Sequence, residues 1–270
     1  MLNFMELELT DNCDLECVHC YNESGPLVSH GPMTVADWTS AIDQGLPLGL
    51  KRLQLIGGEP TRYPGWVEVL DHAVAAGLSV SVFSNLTHIR EQWWPSLTRP
   101  GVTLCTSYYS DEAEQHDRVT DRAGSHARTR ANMVKAIGRG IQVRAAITCV
   151  FEGQRVEQAR AELEALGVED VRVDGVRKVG RGGFTCDVNE LCGNCGRERA
   201  AILPDGVVVL CVLSRWLKIG NVCVTPLAEI LAGEAWRKAV ASVPRPPKPL
   251  CLPQAETMQR NRERRIHAYI

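Results

Sequence analysis

Phe4-Met5-Glu6-Leu7-Glu8-Leu9-Thr10 leads without a break into Asp11-Asn12-Cys13-Asp14-Leu15-Glu16-Cys17-Val18-His19-Cys20. Met5, Leu7 and Leu9 alternate with Glu6, Glu8 and Thr10, the two-residue period of a strand. A loop of about 23 residues follows, rich in turn formers and holding three cysteines. Loops that long inside a compact domain are usually functional.

Outward from this strand the chain repeats one unit. Thr34–Leu46 reads as a helix, with Thr34 as N-cap and Asp37 in the capping-box position. Arg52–Ile56 reads as a strand running into Gly57-Gly58-Glu59-Pro60, and Trp66–Ala76 as a helix stopped by Gly77. Further strands are expected at Leu78–Ser84, Val102–Ser107, Ile141–Val150 and Asp170–Asp174, and helices at Ser125–Arg139 and Val156–Leu166. Apolar strands alternating with amphipathic helices imply a parallel sheet. Six such units predict an α/β fold, a partial (β/α)6 barrel of TIM type. After Asp174 the pattern changes. Gly175–Gly183 is glycine-rich and basic, and Ala200–Leu203 and Val207–Val212 flank Pro204-Asp205-Gly206 as a hairpin. Short helices follow at Leu227–Leu231 and Ala235–Ala241, then a proline-rich stretch to Pro253. The reading is a barrel over 1–177 and a small extension over 178–270.

The 270 residues are 44% hydrophobic and 23% charged, with a formal net charge of -2. No basic field for nucleic acid is present, no apolar run spans a bilayer and no secretory signal opens the chain. A cytoplasmic protein is expected. Eleven cysteines in a reducing compartment argue for metal ligation rather than disulfides.

Cys13, Cys17 and Cys20 form C-x3-C-x2-C. Thiolates bind soft iron well, and three on one loop hold one corner of a cubane cluster and leave an iron open. Zinc, with His19 as the nearest fourth ligand, and isolated thiols are the competing readings. This signature directly behind a strand resembles that of the radical S-adenosylmethionine superfamily, and Gly57-Gly58-Glu59-Pro60 resembles its methionine-binding segment. The resemblance covers essentially the whole chain. It implies a [4Fe–4S] cluster chelated by S-adenosylmethionine, reductive cleavage and a 5′-deoxyadenosyl radical. It also implies that His19 lies beside the adenine and Glu59 meets the methionine amino group. Ser84 and Asn85 would face the ribose, Ser107 would lie near the same ligand, and Arg128 would reach the carboxylate.

Cys192-x2-Cys195 and the hairpin cysteine Cys211 resemble the twitch or SPASM extension of such enzymes. That resemblance implies an auxiliary [4Fe–4S] cluster. Only Cys251 follows Cys223, so one cluster of the twitch form is expected, on Cys192, Cys195, Cys211 and Cys251, with Cys186 as an alternative ligand. Zinc on the same thiols is the other reading. Cys105 and Cys149 lie in apolar strands and read as core. Cys223 is read as a small buried residue, or as a thiol hydrogen donor to a substrate radical. His116-Asp117 reads as a helix cap or surface feature, Trp93-Trp94 as a cap on the barrel wall, and Arg260–Arg265 as a solvated helix face or a grip for an acidic leader.

The expected function is radical modification of a ribosomally made precursor peptide by crosslinking, oxidation or epimerisation. A one-electron reductant such as flavodoxin or ferredoxin would serve it. The rival is a small-molecule dehydrogenase or cyclase, favoured by a chain that begins at its first strand; a separate leader-binding protein would answer that objection. A non-catalytic zinc scaffold is the reading from another class.

Overall fold

Met5 and Leu7 are fully buried in β1 (Phe4–Glu8), within one apolar layer that also holds Trp38, Ile42, Trp66 and Leu70. The layer lies between sheet and helices, because alternate strand residues face opposite sides. The computed structural model describes residues 1–245. Behind β1 come α1 (Val35–Gly45), β2 (Arg52–Ile56), α2 (Trp66–Ala75), β3 (Ser79–Phe83), α3 (Trp94–Leu97) and β4 (Val102–Ser107). Then follow α4 (Ala113–Thr120), α5 (Ser125–Gly138), β5 (Gln142–Cys149), α6 (Val156–Ala165) and β6 (Asp170–Gly175). Thr34 and Asp37 close the expected capping box at the start of α1.

Strands β1 to β6 pair in sequence order, each parallel to the next. Among the described residues β6 pairs only with β5, so the curved sheet is open along that edge. This is the expected α/β partial barrel. The other side of β1 is taken by β7 (Arg199–Ile202), parallel to it from Phe4↔Arg199 to Leu7↔Ile202. β8 (Val207–Val209) and β9 (Gly220–Asn221) continue the same sheet antiparallel. The expected hairpin therefore forms, its turn made by Gly206 at φ 80°, and it is hydrogen-bonded directly to the barrel's first strand. Two short helices, α7 (Leu227–Ala232) and α8 (Glu234–Ser242), end the described chain.

One detail departs from the sequence reading. Helix α4 was not expected: it is short and mostly polar, and burial of His116 and Val119 fixes it. Trp93 and Trp94, read as a cap on the barrel wall, are both buried, Trp93 edge-on to Trp66 at 5.1 Å and Trp94 beneath the Arg139 guanidinium. No helix among the described residues is long and apolar enough to cross a membrane.

Candidate functional site

The cysteine loop lacks regular structure, so its polar backbone groups must find partners elsewhere. The Cys13 N–H donates to Gly25 O at 3.1 Å. The Asn12 amide donates to Pro26 O and Val28 O at 3.1 and 2.6 Å and accepts from Arg62 Nε. The Glu16 and Val18 N–H groups donate to Thr120 O and Val119 O at 3.1 and 3.0 Å. The last turn of α4 thereby gives its otherwise unmatched carbonyls to the loop.

Folded this way, the loop closes a cavity of about 190 Å³ at the C-terminal ends of the strands, where barrel chemistry is placed. Cys13, Cys17, Cys20, His19, Gly57, Gly58, Ser84, Asn85 and Ser107 all line it. A Cβ on Gly57 would stand 2.6 Å from Thr10 O, and one on Gly58 2.4 Å from Asn12 O. The glycine pair thus serves first to let the β2 turn pack on the backbone leaving β1. Burial pushes the Cys17 thiol up to about 12 and that of Cys13 higher still, so ligation must displace their protons.

Glu59 sits behind the cavity rather than on its wall. It is fully buried, and its carboxylate accepts from Thr61 N–H at 3.1 Å, Thr61 Oγ1 at 2.7 Å and Asn85 N–H at 2.7 Å. Burial, helped by the Asp14 charge, pushes it up to about 7. Pro60 is buried beside it. Arg128 is exposed, donates to Ala123 O at 3.3 Å and does not reach the wall. The structure adds Tyr109, His116 and Thr129 to the lining. Tyr109 stands edge-on to His19 with centroids 5.3 Å apart, and its backbone N–H donates to His116 Nδ1 at 3.3 Å. Tyr109 lies just behind β4, and that position was the signal available in the sequence. Cys105, expected in the core, is buried there and also lines the cavity; Cys149, also expected in the core, is half-buried and packs against it.

On the concave face Glu8 is fully buried, accepting from Tyr21 Oη and Asn22 Nδ2 at 2.9 and 2.8 Å and pairing with Arg215, which also meets Asp11 at 3.1 Å. Burial pushes Glu6 up to about 7.

The second thiol group gathers at the foot of the hairpin. Cys195 Sγ lies 3.1 Å from Cys211 Sγ, and the Cys192 thiol is its other hydrogen-bonding neighbour, all three being free thiols. These neighbours, with burial, hold the Cys195 thiol far above its ordinary range. Cys251, expected as the fourth ligand, lies outside the described residues. Cys186 is exposed. Cys223 is exposed rather than buried, 3.9 Å from Met33 Sδ, and does not border the cavity. Among the described residues no three His, Cys, Asp or Glu side chains are set for a single metal ion. Two sets of soft thiols fit iron–sulfur clusters, whose ligands are shared over several irons.

The sequence model of the SPASM family, an iron–sulfur cluster-binding domain, matches residues 192–253; the cysteine count had favoured the smaller twitch form. The antilisterial bacteriocin subtilosin biosynthesis protein AlbA of Bacillus subtilis is 29% identical over 179 residues, 65% of this chain and 40% of AlbA. The PqqA peptide cyclase of Ruegeria pomeroyi is 28% identical over 207 residues, 74% of this chain and 50% of the cyclase. The chain thus spans from two fifths to half the length of these relatives. The crystal structure of Streptococcus suis SuiB bound to precursor peptide SuiA shares the fold, with a TM-score of 0.75 at 14% identity over 90% of this chain and 67% of that one. The sequence model of the Radical SAM superfamily matches residues 7–166, more than half of the chain and the part that carries the three-cysteine cavity, so the chain belongs to the Radical SAM superfamily.

Proposed function

We propose that this chain cleaves S-adenosylmethionine reductively and uses the radical to crosslink, oxidise or epimerise a ribosomally made peptide. The observation that carries the proposal is the convergence of three loop thiols, the Gly57-Gly58 turn and the ends of β3 and β4 on one cavity, beside a sheet left open along β6. A bound cluster supplies the electron that breaks the sulfur–carbon bond. Everything else falls to the protein's side chains. His19 and Tyr109 wall one side of the cavity for the adenine. Ser84, Asn85 and Ser107 offer polar atoms to the ribose and its neighbours. Glu59 acts from behind, fixing the Asn85 backbone with its carboxylate. Holding the reacting groups in register is the protein's main contribution to such chemistry.

In the same reading, residues 1–177 form the catalytic barrel and 178–270 the extension. Cys192, Cys195, Cys211 and Cys251 hold one auxiliary [4Fe–4S] cluster that takes up the electron left after crosslinking. The protein works in the cytoplasm with a flavodoxin or ferredoxin as reductant and, where needed, a separate leader-binding protein. The names of AlbA and the PqqA cyclase support a peptide substrate.

The test is anaerobic co-expression with short open reading frames encoded beside this one. The peptide is then weighed by high-resolution mass spectrometry in ordinary and in deuterated water. A loss of two hydrogens establishes crosslinking or oxidation; deuterium gained without other change establishes epimerisation. An unchanged peptide, with 5′-deoxyadenosine still formed, overturns the peptide reading in favour of a small molecule.

A further inference from the structure

The glycine-rich basic segment behind β6 has no part in the chemistry described so far, yet it lies against the cysteine loop. The Arg181 backbone N–H donates to Cys20 O at 2.9 Å. Its guanidinium donates through Nε to Cys17 O at 2.9 Å and through Nη2 to Ser24 O at 2.8 Å. One residue thus bonds the carbonyls of two of the three cysteines and the far limb of the same loop, across more than 150 positions of sequence. The flanking glycines make this approach feasible. Gly180 has φ 55°, and a Cβ there would stand 2.3 Å from Tyr21 O and 2.5 Å from Cys20 O. A Cβ on Gly182 would stand 2.2 Å from Arg177 O. Residues 180–182 form a tight turn, closed by Gly183 N–H to Gly180 O at 3.1 Å, that only glycine permits at this distance.

We infer that Arg181 is a positioning residue that straps the cysteine loop in place and, by setting a fixed positive charge beside it, favours one-electron reduction of the cluster the loop holds. The inference rests on the reading of that loop as a cluster site. Two physical effects meet in it. An irregular loop has no ladder of its own, so donors from outside decide how ordered it is. Reduction adds one negative charge, and a guanidinium is charged at every working pH. Hydrogen bonds and charge around the ligands are the protein's means of setting a cluster's potential. Lysine keeps the charge but not the fork, glutamine part of the hydrogen bonding but not the charge.

The experiment is a redox titration of the reconstituted holoenzyme followed by electron paramagnetic resonance. Wild type is compared with Arg181→Gln, Arg181→Lys and, as a control, Arg99→Gln, which removes the ion pair and a backbone hydrogen bond to Asp71, away from the cysteine loop. Arg181→Gln is expected to make reduction of the loop cluster about tenfold less favourable, a fall of about 59 mV for a one-electron couple, with Arg181→Lys recovering most of it. A potential equal to the control's overturns the electrostatic part. Hydrogen exchange over residues 13–25 in the metal-free protein tests the strap independently of cluster loading. Faster exchange in Arg181→Gln and Gly180→Ala is expected, and unchanged exchange overturns the strap. A wild-type protein that takes up no iron would instead sink the cluster reading, while the exchange measurement would still decide the strap.

Discussion

His116 shows how far a residue's role depends on surroundings that the sequence does not display. It is buried against Tyr108, Tyr109 and His126. Burial, and then the neighbouring His126, lowers its pKa from 6.5 to about 4. The unfolded chain therefore binds a proton that the native state refuses, and stability is full above about pH 6.5 and lost as pH falls towards 4. Between pH 7 and pH 5 the loss is about 2 kcal/mol. Urea midpoints at those two pH values should fall further for wild type than for His116→Phe. Glu59 makes a second case. Its carboxylate accepts from two backbone N–H groups and a hydroxyl, so Glu59→Gln turns an amide donor towards donors. A cost of about 1–3 kcal/mol is expected, read as a lower melting temperature of the metal-free protein. The three cysteines of the loop were legible in the sequence because their spacing is local. Tyr109 and Arg181 were not, because their partners are remote in sequence: Tyr109 meets His19 across 90 positions and Arg181 meets Cys17 across 164.

At the scale of elements, the alternation of strand and helix was readable because each strand carries an apolar outer face. The helix that supports the site was not. Polar α4 gives no apolar stripe long enough to detect; it is held by the burial of His116 and Val119 and by the contacts of its last turn with the cysteine loop. From within α4 Asp117 accepts from Gly124 N–H, Ser125 Oγ and His126 N–H, satisfying the first N–H groups of α5. The sequence reading of His116-Asp117 as a helix cap or surface feature missed the burial of His116; Asp117 lies inside α4 and from there serves the start of α5, whose N-cap residue is Gly124. Helix α5 in turn holds the turn behind β3, through Thr129 Oγ1 to Asn85 O at 2.8 Å and Asn132 Nδ2 to Leu86 O at 2.7 Å. Asp117→Ala should cost about 1–2 kcal/mol in urea unfolding. It should also speed hydrogen exchange at residues 84–87, where Ser84 and Asn85 line the cavity, more than in β6.

For the whole molecule, the division into barrel and extension has a physical limit. β7 belongs to the second part by sequence, yet it completes the hydrogen bonding of β1 and brings Arg215 to Glu8 and Asp11. A fragment of residues 1–177 would leave β1 with an open edge, a template for aggregation, and Glu8 with a buried charge lacking its partner. Losing one side of such a pair costs about 3–5 kcal/mol. The fragment is expected to lack a cooperative urea transition by circular dichroism, where the full chain has one. Sequence patterning cannot foresee this pairing, because nothing in either strand marks which of several neighbours it will choose.

The pairing of Phe4 with Arg199 also sets a timetable for synthesis. β1 acquires its second neighbour only after about 195 further residues have been made (199 − 4). Contacts so distant in sequence form late, after much of the chain is already collapsed. The strap at Arg181 and the bond from Arg215 to Glu8 fall in the same late window, so the nascent cysteine loop emerges without them. The strapped and paired form of the cysteine loop is therefore available only once residue 215 has been made.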